Sequence, residues 1–135
     1  MIVPDSSAWI EVFRATGSPI DRTLTRLLTD RMPIATTEMI VCEVLAGARS
    51  TRNPNELRAQ LLGFEVFTLE GMADYEAAAE LYRMCRVSGE TIREIRDCLI
   101  AIPVIRAGAE LLHNDADFEA IARHSDLRIY RGNNN

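Results

Sequence analysis

The sequence predicts an α/β fold in which a parallel sheet is covered by helices on both faces. Short apolar segments alternate along the chain with longer amphipathic segments, a pattern typical of strands joined by crossover helices. The apolar segments are short, as expected for strands that are buried on both faces. A chain of 135 residues, 47% hydrophobic and 26% charged, fits one globular domain.

Five apolar runs predict the strands. Each is short and is followed by polar or turn residues, which limits how far a strand can extend. In chain order the predicted strands are residues 2–3, 33–35, 65–69, 109–113 and 127–130.

Seven helices are predicted from apolar side chains that recur every three or four residues. The second helix, for example, carries Ile20, Leu24 and Leu27 on one face. Thr36 or Thr37 can cap the third helix, and glycines follow the first, fourth, fifth and sixth, at positions 17, 63, 89 and 108. The predicted helices are residues 6–15, 19–30, 37–48, 53–62, 72–86, 92–107 and 116–123.

The charge composition excludes several kinds of site. Acidic residues outnumber basic ones by 20 to 15, so binding to nucleic acid would need an arginine patch or bound cations. All 15 basic residues are arginine, which excludes a Walker-type phosphate loop and Schiff-base chemistry, because both need lysine. The three cysteines form no C-x-x-C pair, so we expect buried reduced thiols and no zinc site.

The N-terminus and the apolar runs predict neither a signal peptide nor a membrane span. No apolar run is long enough to span a bilayer, and the N-terminus lacks the basic flank of a signal peptide. We therefore expect a cytoplasmic protein without membrane contact. Residues 132–135 form a polar, Asn-rich tail that we expect to be disordered.

Carboxylates follow two of the predicted strands. Asp5 comes directly after the first strand, and Asp115 follows the fourth, with Asp117 two residues on. Because the carboxyl ends of parallel strands face one crevice, acids at these places can meet. The alternative is that Asp5 and Asp115 only cap the helices that follow them.

Two further acids lie in helices that are otherwise apolar. Glu43 shares its helix face with Met39 and Ile40, and Asp97 precedes a segment without charges from 98 to 105. An ionised carboxylate in such surroundings is costly unless it is paired or bound to a metal ion. The alternative is an arginine partner, for which Arg93 and Arg49 are the neighbours in sequence.

Taken together, the four acids favour a cation site. Carboxylates held close together repel one another and take up protons unless a cation compensates their charge. Oxygen ligands suit Mg²⁺ or Mn²⁺, and such ions promote phosphoryl chemistry because they neutralise the charge of the phosphate. The pattern therefore favours metal-dependent phosphoryl chemistry.

Five segments in this order resemble the PIN-domain ribonucleases, specifically the VapC-type toxins of bacterial toxin–antitoxin pairs. Each segment is weakly diagnostic by itself, but the ordered set is specific and spans nearly the whole chain. The segments are Ile2-Val3-Pro4-Asp5-Ser6-Ser7-Ala8-Trp9-Ile10, Glu43-Val44-Leu45-Ala46-Gly47, Gly89-Glu90-Thr91-Ile92-Arg93, Asp97-Cys98-Leu99-Ile100-Ala101 and His113-Asn114-Asp115-Ala116-Asp117-Phe118.

The resemblance implies a fold, an activity and partners. It implies a three-layer α/β/α sandwich with a five-stranded parallel sheet, here one PIN domain over residues 1–131. It implies a homodimer that cleaves RNA with Mg²⁺ or Mn²⁺ and is blocked by a cognate VapB-type antitoxin. Its catalytic and metal-binding acids map onto Asp5, Glu43, Asp97, Asp115 and, in addition, Asp117, with the Ser7 hydroxyl beside the metal.

Two arginines and two prolines add expectations of their own. Arg93 and Arg96 are candidates for binding the RNA backbone, although pairing with Glu90 or Glu94 is an equal alternative.

Pro4 and Pro103 depart from the family pattern. Pro4 is tolerable at a strand end, and Pro103 should kink its helix while leaving Asp97 in place.

Two rival functions remain at this point. A receiver-like signalling domain also binds Mg²⁺ through acids at strand ends, but that family requires a lysine and this chain has none. The other rival is a catalytically idle binding module held by its partner.

Overall fold

The computed structural model describes residues 1–47 and 53–132. Its strands are β1 (Ile2–Pro4), β2 (Ala35–Thr37), β3 (Glu65–Phe67), β4 (Glu110–Leu112) and β5 (Arg128–Ile129). Its helices are α1 (Ser6–Phe13), α2 (Pro19–Thr29), α3 (Glu38–Ala46), α4 (Pro54–Leu62), α5 (Met72–Val87), α6 (Ile95–Ala107) and α7 (Ala116–Arg123). The predicted α/β class is confirmed. Of the predicted tail over 132–135, residues 133–135 lie outside the described part of the chain.

All strand pairings in the described residues are parallel. β1 pairs with β4 and β4 with β5, while β2 pairs with β3. One bridge between Ile2 and Ile34 joins the two groups, so the strands lie in the order β3-β2-β1-β4-β5. The hydrogen-bonded ladders thus contain three and two strands, where the resemblance implied one continuous five-stranded sheet.

Pro4 accounts for the weak junction between β1 and β2. The Ile2 N–H donates to the Pro33 carbonyl on the β2 side at 2.9 Å, and the Asp5 N–H donates to Leu112 on the β4 side at 2.9 Å. Backbone amides alternate in direction along a strand, so the amide of position 4 would face β2. Proline has no N–H to donate, and the ladder towards β2 ends there.

The core lies on both faces of the central strands. All three residues of β1 and all three of β2 are buried, and successive side chains point to opposite faces. Both faces are therefore covered, which agrees with the predicted three-layer arrangement. α1 packs against α2 and α3, and α5 packs against α6 and α7.

Several element boundaries differ from the prediction by one to three residues, and those of β2 and α6 have an identifiable cause. β2 begins at Ala35 and extends to Thr37, because Thr37 both ends the strand and caps α3 by accepting the Ile40 N–H. α6 begins at Ile95, three residues later than predicted. The segment before it is held outside the helix because the Arg93 N–H donates to Asp117 at 3.1 Å.

Pro103 and the cysteines bear on the helices near the site. α6 continues through Pro103 to Ala107, so the proline does not end this helix. Cys85 and Cys98 are buried free thiols as predicted, and burial raises the pKa of Cys98 to about 12. The prediction is wrong for Cys42, which is exposed on α3.

No helix of the described residues is long and apolar enough to cross a membrane.

Candidate active site

An acidic cleft of about 360 Å³ opens at the carboxyl ends of β1 and β4. The chain enters it directly after β1, at Asp5, and two residues after β4, at Asn114, so the parallel topology itself places acids there. All five predicted acids line this cleft, and we call them the cleft acids: Asp5, Glu43, Asp97, Asp115 and Asp117.

Three of the cleft acids converge most tightly. Asp97 lies in the first turn of α6, Asp115 caps α7, and Asp117 lies in the first turn of α7. One carboxylate oxygen of each lies within 4.8 Å of the others. Asp5 and Glu43 line the same cleft outside this trio.

Asp5 is held at the start of α1 by its neighbours. It is only 7% exposed, and the Ser7 hydroxyl donates to its Oδ2 at 3.2 Å. Burial raises the pKa of the Asp5 carboxyl, against the lowering effect of the Ser6 amide and the Ser7 hydroxyl. The Asp5 side chain makes no capping hydrogen bond, unlike Asp115, which accepts the Asp117 N–H at 2.9 Å. Asp115 therefore caps α7 and also lines the cleft, so neither acid serves only as a cap.

Glu43 presents one paired and one unpaired oxygen. Its Oε2 forms an ion pair with Arg96, with 2.9 Å between Oε2 and Nε, whereas its Oε1 is buried without a hydrogen-bond partner in the described residues. Burial, then the charge of Asp5, raises the pKa of Glu43, while Arg96 lowers it. An arginine partner for Glu43 thus exists, but it is Arg96; Arg49, suggested by the sequence, lies outside the described residues.

Among the cleft acids, Asp97 has the most strongly raised pKa. Burial, followed by the charges of Asp5 and Asp115, raises its pKa to about 7. Arg93, its neighbour in sequence, does not pair with it. Arg93 instead donates to Asp115 Oδ1 at 2.9 Å and to Asp117 Oδ2 at 3.0 Å.

The arginine pairings differ from the local pairs that helix spacing suggested. Arg93 and Arg96 bind cleft acids that lie 22 or more residues away in sequence. Glu90 is instead paired with Arg123 and His124. Both arginines lie at the cleft, with side chains 72% and 53% exposed.

His113 supports Asp115 in a way that the sequence analysis missed. Its Nδ1 accepts the Asp115 N–H at 2.9 Å, and its ring packs against Phe118 with centroids 5.4 Å apart. Burial lowers the pKa of His113, which keeps Nδ1 available as an acceptor. The spacing of two residues between His113 and Asp115 was the available signal, because a side-chain acceptor commonly binds the amide two residues on. Ser6, Glu94 and Asn114 also line the cleft and were not predicted.

A comparison with known protein families shows to which family this chain belongs. The model of the PIN domain matches residues 2–124. The chain belongs to the PIN domain family. Among curated proteins, this PIN domain is 43% identical over 129 residues to ribonuclease VapC11 of Mycobacterium tuberculosis, covering 95% of this chain and 96% of that protein. A VapC ribonuclease of Mycobacterium bovis is similar to the same extent, at 43% over 129 residues and with the same coverage.

Solved structures share the fold of this PIN domain at low sequence identity. One is VapBC2 from Rickettsia felis bound to a promoter DNA fragment, with a TM-score of 0.70 and 18% identity over 96% of this chain and 98% of that one. Another is a toxin–antitoxin complex from Klebsiella pneumoniae, with a TM-score of 0.67 and 20% identity over 87% and 90%. At these identities the likeness bears on the fold alone.

The donor set of this PIN domain fits a hard divalent cation. The cleft acids offer oxygen atoms only, and Mg²⁺ and Mn²⁺ favour carboxylate oxygen. The unpartnered, buried Oε1 of Glu43 and the raised pKa of Asp97 both indicate negative charge that the protein compensates incompletely.

Proposed function

We propose that this PIN domain is a divalent-metal-dependent endoribonuclease that acts as the toxin of a toxin–antitoxin pair. The observation that carries the proposal is the convergence of the five cleft acids, from widely separated parts of the chain, in one open cleft. The similarity to curated proteins named as VapC ribonucleases supports RNA as the substrate.

The cleft acids are proposed to hold the cation. Asp97, Asp115 and Asp117 would be its principal ligands, with Asp5 and Glu43 completing the site. The bound cation would supply Lewis-acid stabilisation of the negative charge on the phosphodiester. The protein contributes orientation: Ser7 fixes Asp5 Oδ2, and the His113 ring fixes the backbone at Asp115.

The substrate is a polyanion, and the protein carries a net charge of −5. Arg93 and Arg96 lie at the cleft, and more than half of each side chain is exposed. We assign to them the contact with RNA phosphates, for which arginine offers two parallel donors. Substrate binding would then depend on local positive charge rather than on the charge of the whole molecule.

The proposed partners follow from the same assignment. The structural neighbours include VapBC and other toxin–antitoxin complexes, which supports a VapB-type antitoxin as the partner of this chain. We also propose that the chain forms a homodimer. Because both the RNA and the antitoxin of such a pair occur in the cytoplasm, we place the activity there. The family match opposes the receiver-like alternative.

The function is tested by incubating the purified chain with structured RNA in the presence of Mg²⁺ or Mn²⁺. We expect cleavage that stops when EDTA is added and resumes when the metal is restored. Asp115→Asn, purified in parallel, is expected to lose most of the activity. Asparagine caps a helix as well as aspartate does, so α7 keeps its start while the carboxylate charge is lost.

Asp126→Asn is the matched control for this assay, because Asp126 is exposed and lies outside the cleft. It should cleave RNA like the unmodified chain. Cleavage that persists in EDTA, or that is equal in the Asp115→Asn preparation, would contradict the proposal. A folded chain that never cleaves RNA would favour the idle binding module.

Metal binding is also expected to stabilise the fold. Mn²⁺ at about a hundredfold excess over its Kd should add about 2–3 kcal/mol to the free energy of unfolding, because it binds only the folded state. Thermal melting with and without Mn²⁺ measures this directly. Asp5→Asn should reduce the rise in Tm, whereas Asp126→Asn should not. An undiminished rise in Asp5→Asn would remove Asp5 from the ligand set.

A further inference from the structure

Arg93 is paired with two of the three cleft acids that lie closest together. Its Nη2 donates to Asp115 Oδ1 at 2.9 Å, and its Nε donates to Asp117 Oδ2 at 3.0 Å. The guanidinium group therefore spans two carboxylates of the trio that offers oxygens to a cation. The third member, Asp97, has no arginine partner among the described ion pairs, which agrees with the repulsion it experiences.

The carboxylate oxygens of Asp115 and Asp117 cannot fully serve as hydrogen-bond acceptors for Arg93 and as ligands of a divalent cation at the same time. Arg93 carries one positive charge and supplies hydrogen bonds, whereas a divalent ion carries two charges and needs the carboxylate oxygens as ligands. Binding of a divalent ion to Asp115 and Asp117 would also place two cationic groups side by side, and their repulsion favours departure of the guanidinium group.

The attachment of Arg93 allows its side chain to leave while its backbone stays. The side chain is 72% exposed, so little packing holds it in the cleft. The backbone N–H of Arg93 separately donates to Asp117 Oδ2 at 3.1 Å, which keeps the residue at the edge of the cleft. A displaced guanidinium group would remain within reach of a phosphate bound there.

We infer that Arg93 is the internal counter-cation of the metal-free cleft, and that a divalent cation displaces its guanidinium group, which then binds a phosphate of the RNA substrate. This inference rests on the proposed function. It assigns Arg93 two successive partners, the carboxylates of Asp115 and Asp117 before the metal binds and the substrate afterwards.

The inference predicts opposite effects of one substitution on two equilibria. Arg93→Gln removes the competitor of the metal, so the Kd for Mn²⁺ measured by calorimetry should fall by about two- to fivefold, as expected for an exposed ion pair. The same substitution removes a phosphate contact, so the KM for RNA should rise. A residue with a purely structural role would not tighten metal binding while weakening substrate binding.

Two variants sharpen the test. Arg83→Gln is the matched control, because Arg83 is an equally exposed arginine paired with Glu80 on α5, outside the cleft; it should leave both constants unchanged. Arg93→Lys keeps the charge but cannot span both carboxylates. Its Kd for Mn²⁺ should lie between those of the unmodified chain and Arg93→Gln.

Melting without metal gives a readout that is independent of activity. Arg93→Gln should lower the Tm of the metal-free protein and enlarge its rise with Mn²⁺. If the unmodified chain binds Mn²⁺ and cleaves RNA but Arg93→Gln binds Mn²⁺ no more tightly, the inference alone is wrong. If the unmodified chain binds no Mn²⁺, the proposed metal-dependent function fails and the inference fails with it.

Discussion

Asp97→Asn is expected to lower the rate of metal-dependent RNA cleavage by at least about a hundredfold. Substitution of a residue that only orients a metal ligand already costs about 10–100-fold, and Asp97 offers a ligand oxygen itself. Asparagine has nearly the same shape as aspartate, so the packing of α6 around Ile100 and Ala101 is kept. The loss should therefore reflect the missing charge and not a disturbed fold.

The measurement is the initial rate of RNA cleavage at saturating Mg²⁺ or Mn²⁺, compared with Asp126→Asn and the unmodified chain. Circular dichroism of all three proteins establishes that each is folded. Retention of more than about a tenth of the rate by a folded Asp97→Asn protein would be inconsistent with a ligand role, given the cost of losing even a supporting residue.

The metal-free protein is expected to lose stability as the pH rises from about 4 to about 8. The pKa of Asp97 is about 7 in the folded chain, against an ordinary value of 3.8 for an aspartate side chain. Between these values the folded state binds a proton that the unfolded state has released, so the free energy of unfolding falls as the pH increases. The raised pKa values of Asp5 and Glu43 act in the same direction.

The magnitude follows from the size of this shift. A change from 3.8 to about 7 corresponds to at most about 4 kcal/mol for Asp97. Burial lowers the pKa of His113, so protonation of this ring opposes the trend below its ordinary pKa. Urea unfolding in EDTA at a series of pH values measures the sum of these effects.

Asp97→Asn isolates the contribution of this one carboxyl group. The difference in unfolding free energy between the variant and the unmodified chain should grow as the pH rises, with the variant the more stable above pH 7. Mn²⁺ should reverse the order, because only the unmodified chain keeps the full set of ligands. A pH-independent difference would show that Asp97 ionises normally in the folded protein. The expected pH dependence and the expected loss of cleavage rate would together show that Asp97 lowers the stability of the metal-free protein and is required for activity.

The position of the cleft acids could be predicted because each depends on local sequence. Asp5 and Asp115 follow short apolar runs that are typical of buried strands, and parallel strands place their carboxyl ends at one edge of the sheet. Glu43 and Asp97 lie among apolar neighbours that force their helices against the sheet. A carboxylate on such a face must therefore lie at a buried position or in a cleft.

The charge partners of these acids could not be predicted from spacing. Helix periodicity suggested that Arg93 pairs with a nearby acid, yet it spans Asp115 and Asp117 on another helix. The choice depends on distances across the cleft, which are set when α6 and α7 pack together. The same packing holds residues 92–94 outside α6, although their sequence is compatible with a helix.

The α/β class, the order of the elements and the identity of the acids can be read from the sequence, because periodicity, caps and buried charge act over a few residues. The tertiary structure alone decided that Arg93 neutralises Asp115 and Asp117, that Arg96 neutralises Glu43, and that His113 supports the backbone at Asp115. These contacts depend on which side chains come within about 3 Å of one another, and that distance exists only after the helices have docked on the sheet.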